Sequence, residues 1–97
     1  MVDRVVWSSQ AVEDVDAIAS YIARDSPSYA AAMVQKIIEA TRVLIHCPLE
    51  GRVIAEYEES SLREISAYCY RIIYRIDSKR VTIAAVIHGK TLLAIEL

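Results

Sequence analysis

The spacing of apolar residues changes twice along the chain, and each change predicts a different element. The opening DRVVWS reads as a short strand that ends at Trp7 before a pair of serines. Val12, Val15, Ile18, Ala19 and Ile22 then recur at helical spacing, with Ser8 or Ser9 as the capping residue and Glu13, Asp14 and Asp16 in the first turns, where the helix dipole favours negative charge. This helix should run to about Arg24. Asp25-Ser26-Pro27 breaks it, because proline suits the first position of a new helix and Ser26 can cap that helix. Ala30, Met33, Val34, Ile37, Ile38, Thr41, Leu44 and Ile45 form a broad apolar stripe, and Cys47-Pro48 ends it. Tyr29 and Met33 are expected in the core. So short a break predicts an antiparallel helical hairpin.

Beyond Pro48 the period falls to 2. PLEGRVIAEYEESS is a long irregular stretch with room for a short strand at Val53 and Ile54. Three strand-like runs follow: LREISA, YCYRIIYRI and RVTIAAVIH. In the middle run Tyr70, Ile72, Tyr74 and Ile76 share one face, and Arg71, Ile73 and Arg75 share the other. In the last run Val81, Ile83, Ala85 and Ile87 are expected on one side. Asp77 to Lys79 supplies turn chemistry, and short links make neighbouring strands antiparallel. The fold class is therefore α+β. An N-terminal strand and a two-helix hairpin precede a three- to four-stranded antiparallel sheet, and residues 1–97 form one domain. Ile18, Ile22, Val34, Ile37, Ile38, Ile72, Tyr74, Ile83 and Ile87 should make a single core between helices and sheet. The apolar end, with Leu92, Leu93, Ile95 and Leu97, is expected to pack on the sheet or meet a partner.

Composition supports a folded domain, with 55% hydrophobic and 25% charged residues. The net charge of −2 disfavours a protein that coats nucleic acid by charge alone. That charge is unevenly spread. Residues 1–48 carry four Lys/Arg against six Asp/Glu, whereas residues 60–92 carry six basic and two acidic side chains. A locally basic sheet suits an anionic partner, an acidic protein included. No signal peptide or membrane span is legible, so a cytoplasmic protein without cofactors is expected. Cys47 and Cys69 are expected as reduced thiols, and no metal-ligand spacing joins them to His46 and His88.

Neither a glycine-rich phosphate loop nor a nucleophile elbow is present. The polar groups that the strands can gather are Glu56, Arg63, Arg71, Arg75, His88 and Lys90. A Glu, an Arg and a His are the groups that cleavage at an RNA ribose requires. One takes the 2′-hydroxyl proton, one stabilises the phosphorane and one protonates the leaving oxygen. Each also has a plainer reading. Glu56 suits a solvated loop, the strand arginines suit a water-facing sheet or ion pairs with Glu64 or Glu56, and His88 suits a turn beside Gly89.

Taken in order, Trp7, AVEDVDAIASYIA, DSPSYA, PLEGRVIAE, LREI, YRIIYRI and VIHGKTLL resemble the RelE/ParE superfamily of bacterial toxins over nearly the whole chain. The resemblance implies a toxin of a type II toxin–antitoxin system, neutralised by a cognate antitoxin in a hetero-oligomer. Members act as ribosome-dependent mRNA endonucleases or as DNA gyrase inhibitors. The helix pair and the EGRVIAE…LREI…YRIIYR run look more like the ParE, plasmid-stabilisation branch, which is associated with gyrase. On the nuclease side the resemblance assigns Glu56, Arg71 and His88 as the catalytic set. In either branch Arg63, Arg71, Arg75 and Lys90 are candidates for binding target or antitoxin. An acidic chain of pI 5.6 gains little at a site lined by rRNA phosphate, so charge favours the ParE-like branch. An inactive toxin fold kept as a binding module is the third reading.

Overall fold

The computed structural model describes residues 2–54, 57 and 60–89. Strand β1 (Arg4–Trp7) leads into helix α1 (Ser9–Ala23) and helix α2 (Pro27–Arg42), which continues as a 3₁₀ turn at Val43–Ile45. Four strands follow: β2 (Arg52–Val53), β3 (Leu62–Ala67), β4 (Tyr70–Asp77) and β5 (Arg80–His88). They form one sheet in the order β1-β5-β4-β3-β2. The last four strands pair antiparallel, while β1 lies parallel to β5, with Trp7 beside Ile83. The parallel pair is what the two intervening helices permit, since a parallel neighbour needs a long crossover.

Local chemistry fixes the helix boundaries. Ser8 caps α1 by accepting the Ala11 N–H at 3.1 Å, and Ser26 caps α2 by accepting the Tyr29 N–H at 3.2 Å. Pro27 stands at the start of α2, where its missing N–H costs nothing. Glu13, Asp14 and Asp16 lie one turn further in than expected, since α1 has no acidic residue in its first turn.

The main core lies between the helices and one sheet face. Met33, Ile37, Leu44, Ile72, Tyr74, Val81, Ile83 and Val86 are buried there, and Ile18 and Ile22 pack against them. A second apolar cluster on the other face joins Ile54, Leu62, Ile73 and Ala85, with Tyr57 and Ile87 against it. The expected core is corrected at four residues. Ile87 belongs to the second cluster, Val34 is half-buried and lies in neither cluster, Ile38 is 37% exposed, and Tyr29 is 54% exposed on the outer side of α2.

The shift of Ile87 has a local cause. Opposite Ile73 and Tyr74 the register of β5 slips by one residue, so that Ile73 meets Ala85 and Tyr74 meets Ile83, with Ala84 as the extra residue. A bulge of this kind inverts the inside–outside alternation beyond it. Val81, Ile83 and Val86 therefore face the helices, and Ala85 and Ile87 face away. Helix α1 holds the bulge. Ser8 Oγ donates to the Ala84 carbonyl at 3.0 Å, and the Asp14 carboxylate accepts the Val86 N–H at 2.9 Å.

The middle run also starts later than expected. Ala67 pairs with Tyr70, leaving Tyr68 and Cys69 as a two-residue turn. Tyr68 adopts φ 56°, a conformation usually left to glycine or asparagine.

Candidate functional site

The face of the sheet turned away from the helices carries an ionic cluster built on Glu64. In register, Glu64 of β3 lies between Arg52 of β2 and Ile73 of β4, and Ser66 lies opposite Arg71. Period-2 alternation thus puts Arg52, Glu64, Ser66 and Arg71 on one face. Glu64 is only 6% exposed. The Arg71 guanidinium donates through Nε at 3.1 Å and through Nη2 to the same carboxylate oxygen, Oε2. Arg52 donates through Nε at 3.2 Å and approaches Oε1 through Nη2 at 3.2 Å. The Arg71 side chain is 13% exposed and that of Arg52 is 76% exposed, so Arg71 is a committed partner and Arg52 a rim group.

An open cleft of about 430 Å³ runs over this cluster to the β3–β4 turn, where Tyr68, Cys69 and Tyr70 line it. Burial raises the Tyr70 phenol above the ordinary tyrosine value, and the neighbouring Cys69 adds to the shift. Both cysteines are exposed free thiols.

Among the described residues, Arg63 and His88 are not brought to the face that carries Arg71 and Arg75. Arg63 sits directly opposite Tyr74, on the helix-side face, whereas Arg71 and Arg75 alternate onto the other. Its guanidinium serves the backbone, donating to the Gly51 carbonyl at 2.9 Å and to the Ser60 carbonyl at 3.0 Å. Tyr74, fully enclosed, completes that anchor by donating to the Pro48 carbonyl at 2.7 Å and accepting the Gly51 N–H at 2.9 Å. Arg75 is half-buried in register with Leu62. The water-facing sheet expected for Arg71 is corrected by Glu64, which reaches into that face with an apolar cluster beside it. The ion pair with Glu64 is as expected.

His88 ends β5 opposite Tyr70, and the two rings meet edge to face with centroids 5.9 Å apart. Arg71 pairs with Ile87, the preceding residue, so Arg71 and His88 leave their strands on opposite faces. Glu56, Lys90 and the apolar end at Leu92, Leu93, Ile95 and Leu97 lie outside the described residues. Among the described residues no three His, Cys, Asp or Glu side chains gather as metal ligands, and no helix is long and apolar enough to cross a membrane.

Sequence reasoning missed Arg52 as part of the cluster. Its signal was modest: a basic residue in the short strand suspected at Val53, one hairpin away from the acidic Glu64.

Residues 5–93 match the family model described as "ParE toxin of type II toxin-antitoxin system, parDE". The chain belongs to the ParE toxin family. A relative named "Putative toxin Y4kP", from Sinorhizobium fredii (strain NBRC 101917 / NGR234), is 37% identical over 88 residues, covering 89% of this chain and 88% of the relative. The fold is shared with a solved structure of the chromosomal ParDE TA system from P. aeruginosa, at TM-score 0.75 and 22% identity, over 93% of this chain and 98% of that one. It is also shared with the YoeB dimer from Staphylococcus aureus, at TM-score 0.61 and 21% identity, over 88% of this chain and 94% of that one. As a ParE-family member the chain is the toxin of a type II toxin–antitoxin system.

Proposed function

We propose that this ParE-family toxin inhibits DNA gyrase and is held inactive by an antitoxin encoded with it. The observation that carries the target is the placement of Arg71 and His88. A nuclease built on the expected set needs a guanidinium and an imidazole converging on one phosphate, within hydrogen-bond reach of the reacting atoms. Here Arg71 and His88 take opposite faces of the sheet, and the Arg71 guanidinium is paired with a buried carboxylate. The acidic pI of 5.6 acts in the same direction, since rRNA phosphate repels an acidic chain.

The antitoxin reading rests on family membership and on a surface of matching chemistry. Trp7, Val12, Val15, Val34 and Ile38 line an open apolar groove of about 440 Å³ across α1 and α2. Val12 at its rim is 54% exposed. Such a groove suits the apolar face of an amphipathic segment.

The deciding experiment compares purified toxin in a gyrase supercoiling assay with the same toxin in a translation extract carrying a reporter mRNA. Loss of supercoiling with intact mRNA is expected, reversed by the co-encoded antitoxin. Cleavage of ribosome-bound mRNA with gyrase unaffected would overturn the assignment in favour of the nuclease. No effect in either assay, with antitoxin still bound, would identify an inactive binding module.

A further inference from the structure

Helix α1 carries Glu13, Asp14 and Asp16 and no Lys or Arg between Ser9 and Ala23. The three acids are not equivalent. Asp14 is engaged with the Val86 N–H and with Gln10. Glu13 and Asp16 are exposed, and neither makes a hydrogen bond or an ion pair among the described residues. They stand three residues apart, neighbours along one side of the helix. That side adjoins the apolar groove across α1 and α2. Asp16 follows Val12 by one turn and is the one charged residue among those that line the groove. The apolar lining is built in rows at helical spacing, Val15–Ala19 on α1 and Val34–Ile38 on α2. Rows of this kind accept the ridges of a further helix.

We infer that the groove takes an amphipathic helix of the co-encoded antitoxin whose apolar row is flanked by Lys or Arg, with Asp16 receiving that cation and Glu13 extending the acidic rim. The inference deepens the antitoxin reading given above and rests on it. Charge selects this occupant over two others. A second copy packed groove to groove presents the same wall, where the one lining charge is again Asp16, so it supplies no cation. A nucleic acid would set phosphate against Glu13 and Asp16, and like charges facing each other oppose association. A basic amphipathic helix meets both features. Burial of its apolar row supplies affinity, and the rim charges steer its approach and fix the face that docks. A helix with an acid at that place is rejected, which makes Asp16 a specificity residue.

Asp16→Asn, Asp16→Lys and Val12→Asp are compared with the parent in affinity for the co-encoded antitoxin, by calorimetry at low and at high salt. Both positions are exposed on α1, so thermal midpoints should stay near the parent's. At low salt Asp16→Asn should bind about two- to fivefold more weakly, the loss of one exposed ion pair. Asp16→Lys should lose about tenfold or more, because it sets like charges opposite each other. Val12→Asp should lose about tenfold or more by placing a charge among the apolar rows. High salt should close the gap between the parent and Asp16→Asn and leave the Val12→Asp loss in place. A folded Asp16→Lys toxin that binds as tightly as the parent, or more tightly, overturns the inference even with Val12→Asp impaired, since the antitoxin then uses the groove without a cation there. If neither position matters, the antitoxin docks elsewhere, and the inference falls while the antitoxin reading stands. Sedimentation of the toxin alone and binding of a labelled duplex oligonucleotide test the other occupants. A toxin dimer, or a bound oligonucleotide, that Val12→Asp dissolves while antitoxin affinity is unchanged gives the groove to that occupant and overturns the inference. A parent that fails to bind the co-encoded antitoxin overturns the antitoxin reading, and this inference with it.

Discussion

The Asp14 carboxylate on α1 accepts the backbone N–H of Val86 on β5 at 2.9 Å, 72 residues away in sequence. This contact and the Ser8 hydroxyl on the Ala84 carbonyl satisfy the two backbone groups that the β5 bulge takes out of the ladder. Asp14→Ala should destabilise the protein by about 1 to 3 kcal/mol, since it strands a part-buried donor. Asp14→Asn keeps an acceptor and should lose less. Urea midpoints of the two variants check the order. An Asp14→Ala midpoint equal to the parent's would mean that the bulge holds without the carboxylate.

Tyr74 ties the 48–51 loop to the sheet through Pro48 and Gly51. Tyr74→Phe should cost about 1 to 3 kcal/mol by leaving both backbone groups unpaired. Gly51→Ala should cost about 3 kcal/mol or more, because a Cβ there would stand 2.5 Å from the Glu64 backbone oxygen and 2.5 Å from the Tyr74 hydroxyl. Thermal midpoints of the two variants give the comparison. A Gly51→Ala protein as stable as the parent would contradict so close an approach.

Alkaline pH should act through the same tyrosine. Burial raises the Tyr74 phenol above its ordinary 10.0, partly offset by the Gly51 hydrogen bond and the Arg63 charge. The folded state therefore holds the proton more tightly than the unfolded chain does. This contribution to stability is complete below the ordinary tyrosine value and is lost as pH rises through the higher folded value. Tyr70 acts in the same direction. Denaturation midpoints measured from roughly pH 8 to 11 should fall at the upper end for the parent and fall less for Tyr74→Phe. Equal slopes would remove Tyr74 as the cause.

The helices were legible because their signals are local: Ser26-Pro27 announces a cap and a start whatever lies around it. The two faces of β4 were legible too, since alternation of Tyr70, Ile72 and Tyr74 with Arg71 and Ile73 needs no knowledge of neighbours. What stayed hidden depends on partners. The turn at Tyr68-Cys69 contains neither glycine nor asparagine, so it reads as strand. The Ala84 bulge lies within an unbroken apolar run and is held by Ser8 and Asp14, far away in sequence. Arg63 and Arg71 look alike in composition, yet the pairing of Arg63 with Tyr74 and of Arg71 with Ser66 sends them to opposite faces. The arginines were therefore identified as a set although they occupy two separate environments.

The burial of the Glu64–Arg71 pair makes Arg71→Ala a test of stability. Removing one partner of a buried pair typically costs about 3 to 5 kcal/mol, and Arg52 keeps Glu64 from being wholly uncompensated, so about 3 kcal/mol is expected. Replacing both residues with apolar ones of similar size, as in Glu64→Leu/Arg71→Met, should recover most of that loss, because neither charge then needs its partner. A double-mutant cycle on urea midpoints measures the coupling. Additive single losses would show that the two side chains act independently.

Arg63 and His88 provide the sharpest division between stability and toxicity. Arg63 anchors the backbone at Gly51 and Ser60, away from the cleft, so Arg63→Ala should destabilise by about 1 to 3 kcal/mol. The toxin that remains folded should inhibit growth per molecule as the parent does. His88 is exposed at the end of β5 against the Tyr70 ring, and His88→Ala should change neither folding nor growth inhibition appreciably. A general acid would behave otherwise, since such groups contribute about 100- to 10,000-fold to the rates they assist. Growth after induction, normalised to folded toxin measured in the same cells, reads both variants. A His88→Ala protein that folds like the parent but no longer arrests growth would restore the imidazole to the chemistry and count against gyrase as the target.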